Sequence, residues 1–166
     1  MKHLVTLITG FLFMNFVIAQ KTLIPSDQGS KVHFVIKNFG IRTGGDFSGL
    51  NGTIKFDQGN IALWSFDVTV KANTIDTDND TRDGHLRKSE YFDAAKYPVI
   101  HIVSSTIQTT EKAGIYLYFG NLTIKGVTKP VQFTFKVNKA GDGYIFSGDF
   151  SINRRDFGVG GSSVSL

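Results

Sequence analysis

Residues 63–72 read LWSFDVTVKA, and their alternation fixes the local backbone. Trp64, Phe66, Val68, Val70 and Ala72 recur at every second position, with Ser65, Asp67, Thr69 and Lys71 between them. A helix would scatter that apolar set around its circumference, whereas a pleated strand puts all of it on one face. The same period runs through Leu50, Ile54 and Phe56, interrupted by Gly52. It returns through Val131, Phe133, Phe135 and Val137, and through Tyr144, Phe146, Phe150 and Ile152. Turn residues separate these runs at Gly44-Gly45, Gly59-Asn60, Gly114, Lys125-Gly126 and Gly141-Asp142-Gly143. Connections so short join antiparallel neighbours, because a parallel crossover needs about a dozen residues or more. Seven strands are expected, near residues 31–40, 45–57, 61–73, 98–110, 114–124, 128–138 and 143–153. Long apolar faces and bulge-compatible glycines suit an up-and-down barrel, and a two-sheet sandwich satisfies the same pattern.

The chain opens MKHLVTLITGFLFMNFVIAQ, a basic start followed by an apolar stretch from Leu4 to Ile18 and a small residue at Ala19. That is the pattern of a secretory signal peptide, residues 1–19, cleaved after Ala19. Thr6, Thr9, Gly10 and Asn15 interrupt the stretch, which falls short of the roughly 20 apolar residues of a membrane span. Residues 20–166 then form one domain of 147 residues in the periplasm or outside the cell. With no cysteine in the chain, that domain must be held by burial instead of disulfides. The formal charge of +4 falls to +3 once Lys2 is lost, and Arg87-Lys88 and Arg154-Arg155 are the only adjacent basic pairs. No basic stripe tracks a phosphate backbone, so nucleic acid is not expected as a partner. A transient contact with anionic membrane surfaces is compatible with the charge. The oligomeric state is left open, a homodimer included.

One long connection breaks the strand pattern, DTDNDTRDGHLRKSEYFDAAKYP at residues 76–98. Asp76, Asp78 and Asp80 share the spacing of the first ligands of a calcium loop. However, Thr81 stands where that loop needs glycine and Arg87 where it needs a bidentate glutamate, so no metal site is expected. Asp83, His85 and the more distant His101 have no nucleophile, cysteine or metal-binding histidine pair beside them, so no enzyme chemistry and no cofactor is expected either. A scaffold reading uses more of the letters. Asp78 or Asn79 caps a short helix, Asp80 and Asp83 fall in its first turns and Arg87 and Lys88 at its end, the order that suits the helix dipole. Leu86 then supplies an apolar contact, and Tyr91, Phe92 and Tyr97 seal one end of the fold. Pro98 stops the helix and opens the next strand.

In its larger frame, NTIDTDNDTRDGHLRKSEYFDAAKYPVIHIVSS (73–105) resembles the central motif of the YceI-like family. SKVHFVIKNFG (30–40) with GDFSGLNGTIKFD (45–57) is similar to that family's first hairpin, LTIKGVTKPV (122–131) to a later turn, and INRRDFGVG (152–160) to its Arg-x-Asp-Phe-Gly segment. The resemblance implies an all-β, lipocalin-like antiparallel barrel with a short helical connection between strands 3 and 4. It also implies a binding protein without catalytic activity that holds a polyisoprenoid or related lipid in an apolar interior. Members of the family continue into a last strand, whereas this chain ends GGSSVSL with Val164 and Leu166 its only apolar residues there. A C-terminally truncated barrel is the expectation.

The candidate lining residues are Phe34, Ile36, Leu50, Ile54, Phe56, Trp64, Phe66, Val68, Phe133, Phe135, Phe146 and Phe150. Each fits ordinary core packing as well, since a small barrel fills its interior with side chains. Arg42, Arg82 and His85 are the polar candidates for a mouth or lipid headgroup, with ion pairs to Asp83 or Asp46 as their structural alternative. The competing expectation is a ligand-free interaction or stress-adaptor protein with a solid core.

Overall fold

In the computed structural model, residues 20–38 and 41–160 are described; the expected signal peptide and the terminal Val164 and Leu166 lie outside the described residues. The strands are β1 (Lys21–Leu23), β2 (Val32–Asn38), β3 (Ile41–Phe47), β4 (Asn51–Phe56), β5 (Ser65–Lys71), β6 (Val99–Thr109), β7 (Ile115–Ile124), β8 (Val127–Ala140) and β9 (Gly143–Gly148). One short helix, α1 (Asp80–Leu86), lies between β5 and β6, in the connection where the sequence places it. Asn79 caps it, accepting a hydrogen bond from the Arg82 backbone N–H at 2.9 Å. All strand pairs are antiparallel, in a seven-stranded sheet ordered β1-β4-β5-β6-β7-β8-β9 and a separate β2-β3 hairpin.

The large sheet curls. Phe56 on β4 meets Tyr144 and Phe146 on β9 with ring centroids 4.5 and 5.6 Å apart, although four strands separate β4 from β9 in the sheet order. The Lys21 ammonium on β1 stands 5.9 Å from the centre of the Tyr144 ring, so the two outer strands of the sheet face each other across the curl. A β-bulge between Ser104 and Thr106 on β6 adds local twist to the wall.

Several boundaries differ from the sequence reading: the turn expected at Gly44-Gly45 lies within β3, and residues 61–63, expected as strand, form a 3₁₀ turn before β5. The strand expected over 45–57 is divided, because the backbone at 48–50 bonds elsewhere. The Ser48 carbonyl accepts from Lys71 N–H and the Thr74 hydroxyl, both at 3.0 Å, while the Asp27 carboxylate accepts from Gly49 and Leu50 N–H at 2.9 Å each. The hairpin so released is tied to the loop before α1 by paired backbone bonds between Asp46 and Asp76 of 2.8 and 3.0 Å. Gly45 permits this approach: a β-carbon there would stand 2.6 Å from the Phe34 ring and 2.7 Å from the Asp76 carbonyl. The last expected strand stops at Gly148 instead of 153. Beyond it the chain forms a 3₁₀ turn, Arg154–Phe157, capped by Asn153, and buries Phe157 and Val159 beside Leu86 and Phe92. That burial draws the chain off the ladder.

Candidate ligand-binding interior

The inward face of the curled sheet carries two apolar clusters. One, at the α1 end, gathers Phe47, Val70, Ile75, Leu86, Phe92, Leu122 and Ile124 with Phe157 and Val159. The other is mostly aromatic and gathers Ile54, Phe56, Trp64, Phe66, Ile107, Tyr118 and Phe135, with Tyr116, Phe133, Val137, Tyr144 and Phe146 packed against it. The candidate lining residues divide between them. Ile54, Phe56, Trp64, Phe66 and Phe135 are buried in the aromatic cluster, and Val68, Phe133 and Phe146 are half-buried against it. Phe34 and Leu50 pack instead on the α1-end cluster, and Ile36 is half-buried on the same face of β2 as Phe34. Phe150 lies past the end of β9, 40% exposed, with its ring stacked on Phe133 at 4.5 Å and 13°.

Within the aromatic cluster the rings touch. Phe66 meets Phe135 and Phe146 edge-on at 5.4 and 5.3 Å, and Trp64 meets Phe56 at 4.4 Å and Tyr116 at 4.6 Å. Trp64 is held by its indole N–H, which donates to the Asp57 carbonyl. A cleft of about 220 Å³ opens at this end between Phe56, Gln58, Trp64, Tyr116, Val137, Lys139 and Tyr144. Tyr116, Tyr118, Val137 and Tyr144 were not among the expected lining residues. The alternation of Tyr116 and Tyr118 with Leu122 and Ile124 in β7 carries the signal for the first two.

A second, polar cleft of about 380 Å³ lies where the β2-β3 hairpin meets the loop before α1, lined by His33, Arg42, Thr43, Gly44, Gly45, Asp46, Asp76, Thr77, Asp78 and Arg82. The structure thus brings Arg42 and Arg82 together and leaves His85, on the exposed side of the last turn of α1, outside that lining. Asp46 is taken by His33, whose Nδ1 lies 2.7 Å from it, and by Lys31 at 3.5 Å. The hydrogen bond from His33 holds the Asp46 carboxyl below the usual carboxylate range. Asp83 is buried and accepts from Thr77 twice, from its N–H at 3.1 Å and its hydroxyl at 2.5 Å. Arg82 donates to that same hydroxyl from Nε at 2.7 Å and to the Thr77 carbonyl at 2.5 Å. Arg87 reaches back to the carbonyls of Asn73 and Ile75, both at 2.9 Å. The charged letters of the polar run therefore clamp the helix to the loop before it. Among the described residues no group of three His, Asp or Glu side chains converges as a metal site.

The sequence profile of the YceI-like domain matches residues 25–166. The chain belongs to the YceI-like family. Protein YceI of Salmonella arizonae is 35% identical over 128 residues, 76% of this chain and 65% of that relative's own length. Among solved structures, BcnA of Burkholderia cenocepacia superposes with a TM-score of 0.75 at 31% identity, covering 80% of this chain and 83% of BcnA. A polyisoprenoid binding domain from Saccharophagus degradans shares the fold at a TM-score of 0.63 and 15% identity, over 85% of this chain and 82% of that domain. In this YceI-like chain the clamp of Thr77, Arg82, Asp83 and Arg87 sits in the segment that resembles the family's central motif.

Proposed function

We propose that this chain is an exported binding protein, periplasmic or secreted after loss of residues 1–19, that holds a polyisoprenoid or related long-chain amphiphile by its tail in the barrel interior, for transport or storage. The observation that carries this reading is the apolar inward face. Among the described residues the buried Asp57, Thr77 and Asp83 all lie outside the strands, while β4 to β9 turn aromatic and aliphatic side chains inward, the phenol of Tyr118 on β7 being the exception. The ligand class follows the Saccharophagus degradans domain, described as polyisoprenoid binding; at 15% identity that likeness carries the fold, and the ligand is decided by experiment. Arg42 and Arg82, which both line the polar cleft, are the groups proposed to meet a headgroup at the α1 end.

The touching rings favour a second reading, a solid core with function on the outer surface. Magnitudes separate the two. Burying about ten methylenes at about 0.8 kcal/mol each returns roughly 8 kcal/mol before ordering costs. Parting an aromatic pair gives up about 1 kcal/mol beyond its buried area. A long tail can therefore displace several ring contacts, and a short one cannot. The protein purified from an exporting host and extracted with organic solvent should yield about one long-chain amphiphile per chain by lipid mass spectrometry. Lipid-free protein that takes up no prenyl alcohol on titration would favour the solid core.

A further inference from the structure

The interior has one polar atom that its surroundings do not serve. Tyr118, on β7 and 3% exposed, carries a hydroxyl with no hydrogen-bond partner among the described residues. Its ring is fixed on both sides, stacked on Phe133 at 4.6 Å and 18° and met edge-on by Phe66 at 5.9 Å, so the hydroxyl cannot swing out to water. The Tyr118 ring and its hydroxyl lie over Gly120. Gly120 follows Tyr118 on the inward face, and a β-carbon there would stand 2.8 Å from the Tyr118 oxygen and 2.2 Å from the Val103 carbonyl. Leu122, the next inward residue, belongs to the α1-end cluster while Tyr118 belongs to the aromatic one, so the hydroxyl stands at the junction of the two.

A buried hydroxyl without a partner is costly, and a solid core has no use for it, since phenylalanine would fill the same space. Resting on the binding function proposed above, we infer that Tyr118 is an internal polar contact for the ligand, donating a hydrogen bond to a neutral oxygen, a ketone, quinone, amide carbonyl or alcohol, carried by the amphiphile. A carboxylate or phosphate is disfavoured there. Burial raises the Tyr118 phenol above its ordinary range, and the Asp67 charge adds in the same direction, so the hydroxyl stays a neutral donor in a field that repels anions. Tyr118 then sets which end of the ligand goes deep, with the tail filling the interior around it.

The test uses the full domain, delipidated, with a prenyl ketone, the hydrocarbon of equal tail length and the prenyl phosphate as probes, read by Trp64 emission. The native chain should bind the ketone about tenfold more tightly than the hydrocarbon, the worth of one well-made hydrogen bond that also relieves an orphan group. The affinity for the phosphate, whose charge suits the cleft of Arg42 and Arg82, should be unchanged in Tyr118→Phe. Tyr118→Phe should bind ketone and hydrocarbon alike, and, free of ligand, should melt at the same temperature as the native chain or higher. Equal binding of ketone and hydrocarbon by the native chain leaves the tail-binding function standing and removes Tyr118 from it, as does an unchanged preference in Tyr118→Phe. If no probe moves Trp64 emission in either protein, both readings fall. A lower melting temperature for ligand-free Tyr118→Phe would show the hydroxyl already satisfied within the protein and overturn the assignment.

Discussion

Phe66→Ala is expected to lower the free energy of unfolding by about 4 kcal/mol, measured as a fall in the urea midpoint at unchanged slope. Phe66 is the meeting point of the aromatic cluster, within 5.3–5.9 Å of the rings of Tyr118, Phe135 and Phe146 on three different strands. Truncation removes those contacts together, and the surrounding strands, fixed by their ladders, cannot collapse fully into the space. The same cavity makes room for a tail, so saturating prenyl alcohol should restore more stability to Phe66→Ala than it adds to the native chain. A loss below about 1 kcal/mol would show that the interior rings are not close-packed.

Asp83→Ala is expected to cost about 3 kcal/mol, a fall in melting temperature of about 6–12 °C for a domain of this size. The Asp83 carboxylate serves the Thr77 N–H and hydroxyl, and through that hydroxyl it holds the Arg82 guanidinium in place. Removing it strands two buried donors at once and loosens the hydroxyl on which the Arg82 Nε–H rests. Asp83→Asn keeps one acceptor oxygen and should lose less than half as much. A protein that melts normally as Asp83→Ala yet no longer binds lipid would contradict the structural role and make the polar run part of the site.

The parts of the fold that were legible are those where one local rule acts alone. Strict alternation located β5 to β8 to within a few residues, and the caps around Asp80–Leu86 located α1. The break between β3 and β4 was not read, although Phe47 and Leu50, three residues apart, cannot share one face of a continuous strand; the backbone at Ser48 is claimed by Lys71 and Thr74, more than twenty residues away. The short β1 carries no pattern in three residues and exists through its pairing with β4. The interior was legible as a set of apolar faces, which is why Ile54, Phe56, Trp64, Phe66 and Phe135 fall in one cluster. What alternation cannot show is how far each ring reaches. It placed Phe150 in a strand that ends two residues earlier, and it did not single out Tyr118, whose buried hydroxyl is left unserved. Arg42 and Arg82, forty residues apart, meet in one cleft only because the hairpin bridges to the loop at Asp76.

The most direct test of tail binding in the interior is titration of the delipidated domain with prenyl alcohols of increasing isoprene number, followed by emission of its single tryptophan, Trp64, in the aromatic cluster. Tail burial predicts that each added isoprene unit tightens Kd by about tenfold or more until the interior is full, with a blue shift or quench that saturates at one ligand per chain. A Kd that does not change with tail length, with Trp64 emission unmoved throughout, would contradict it.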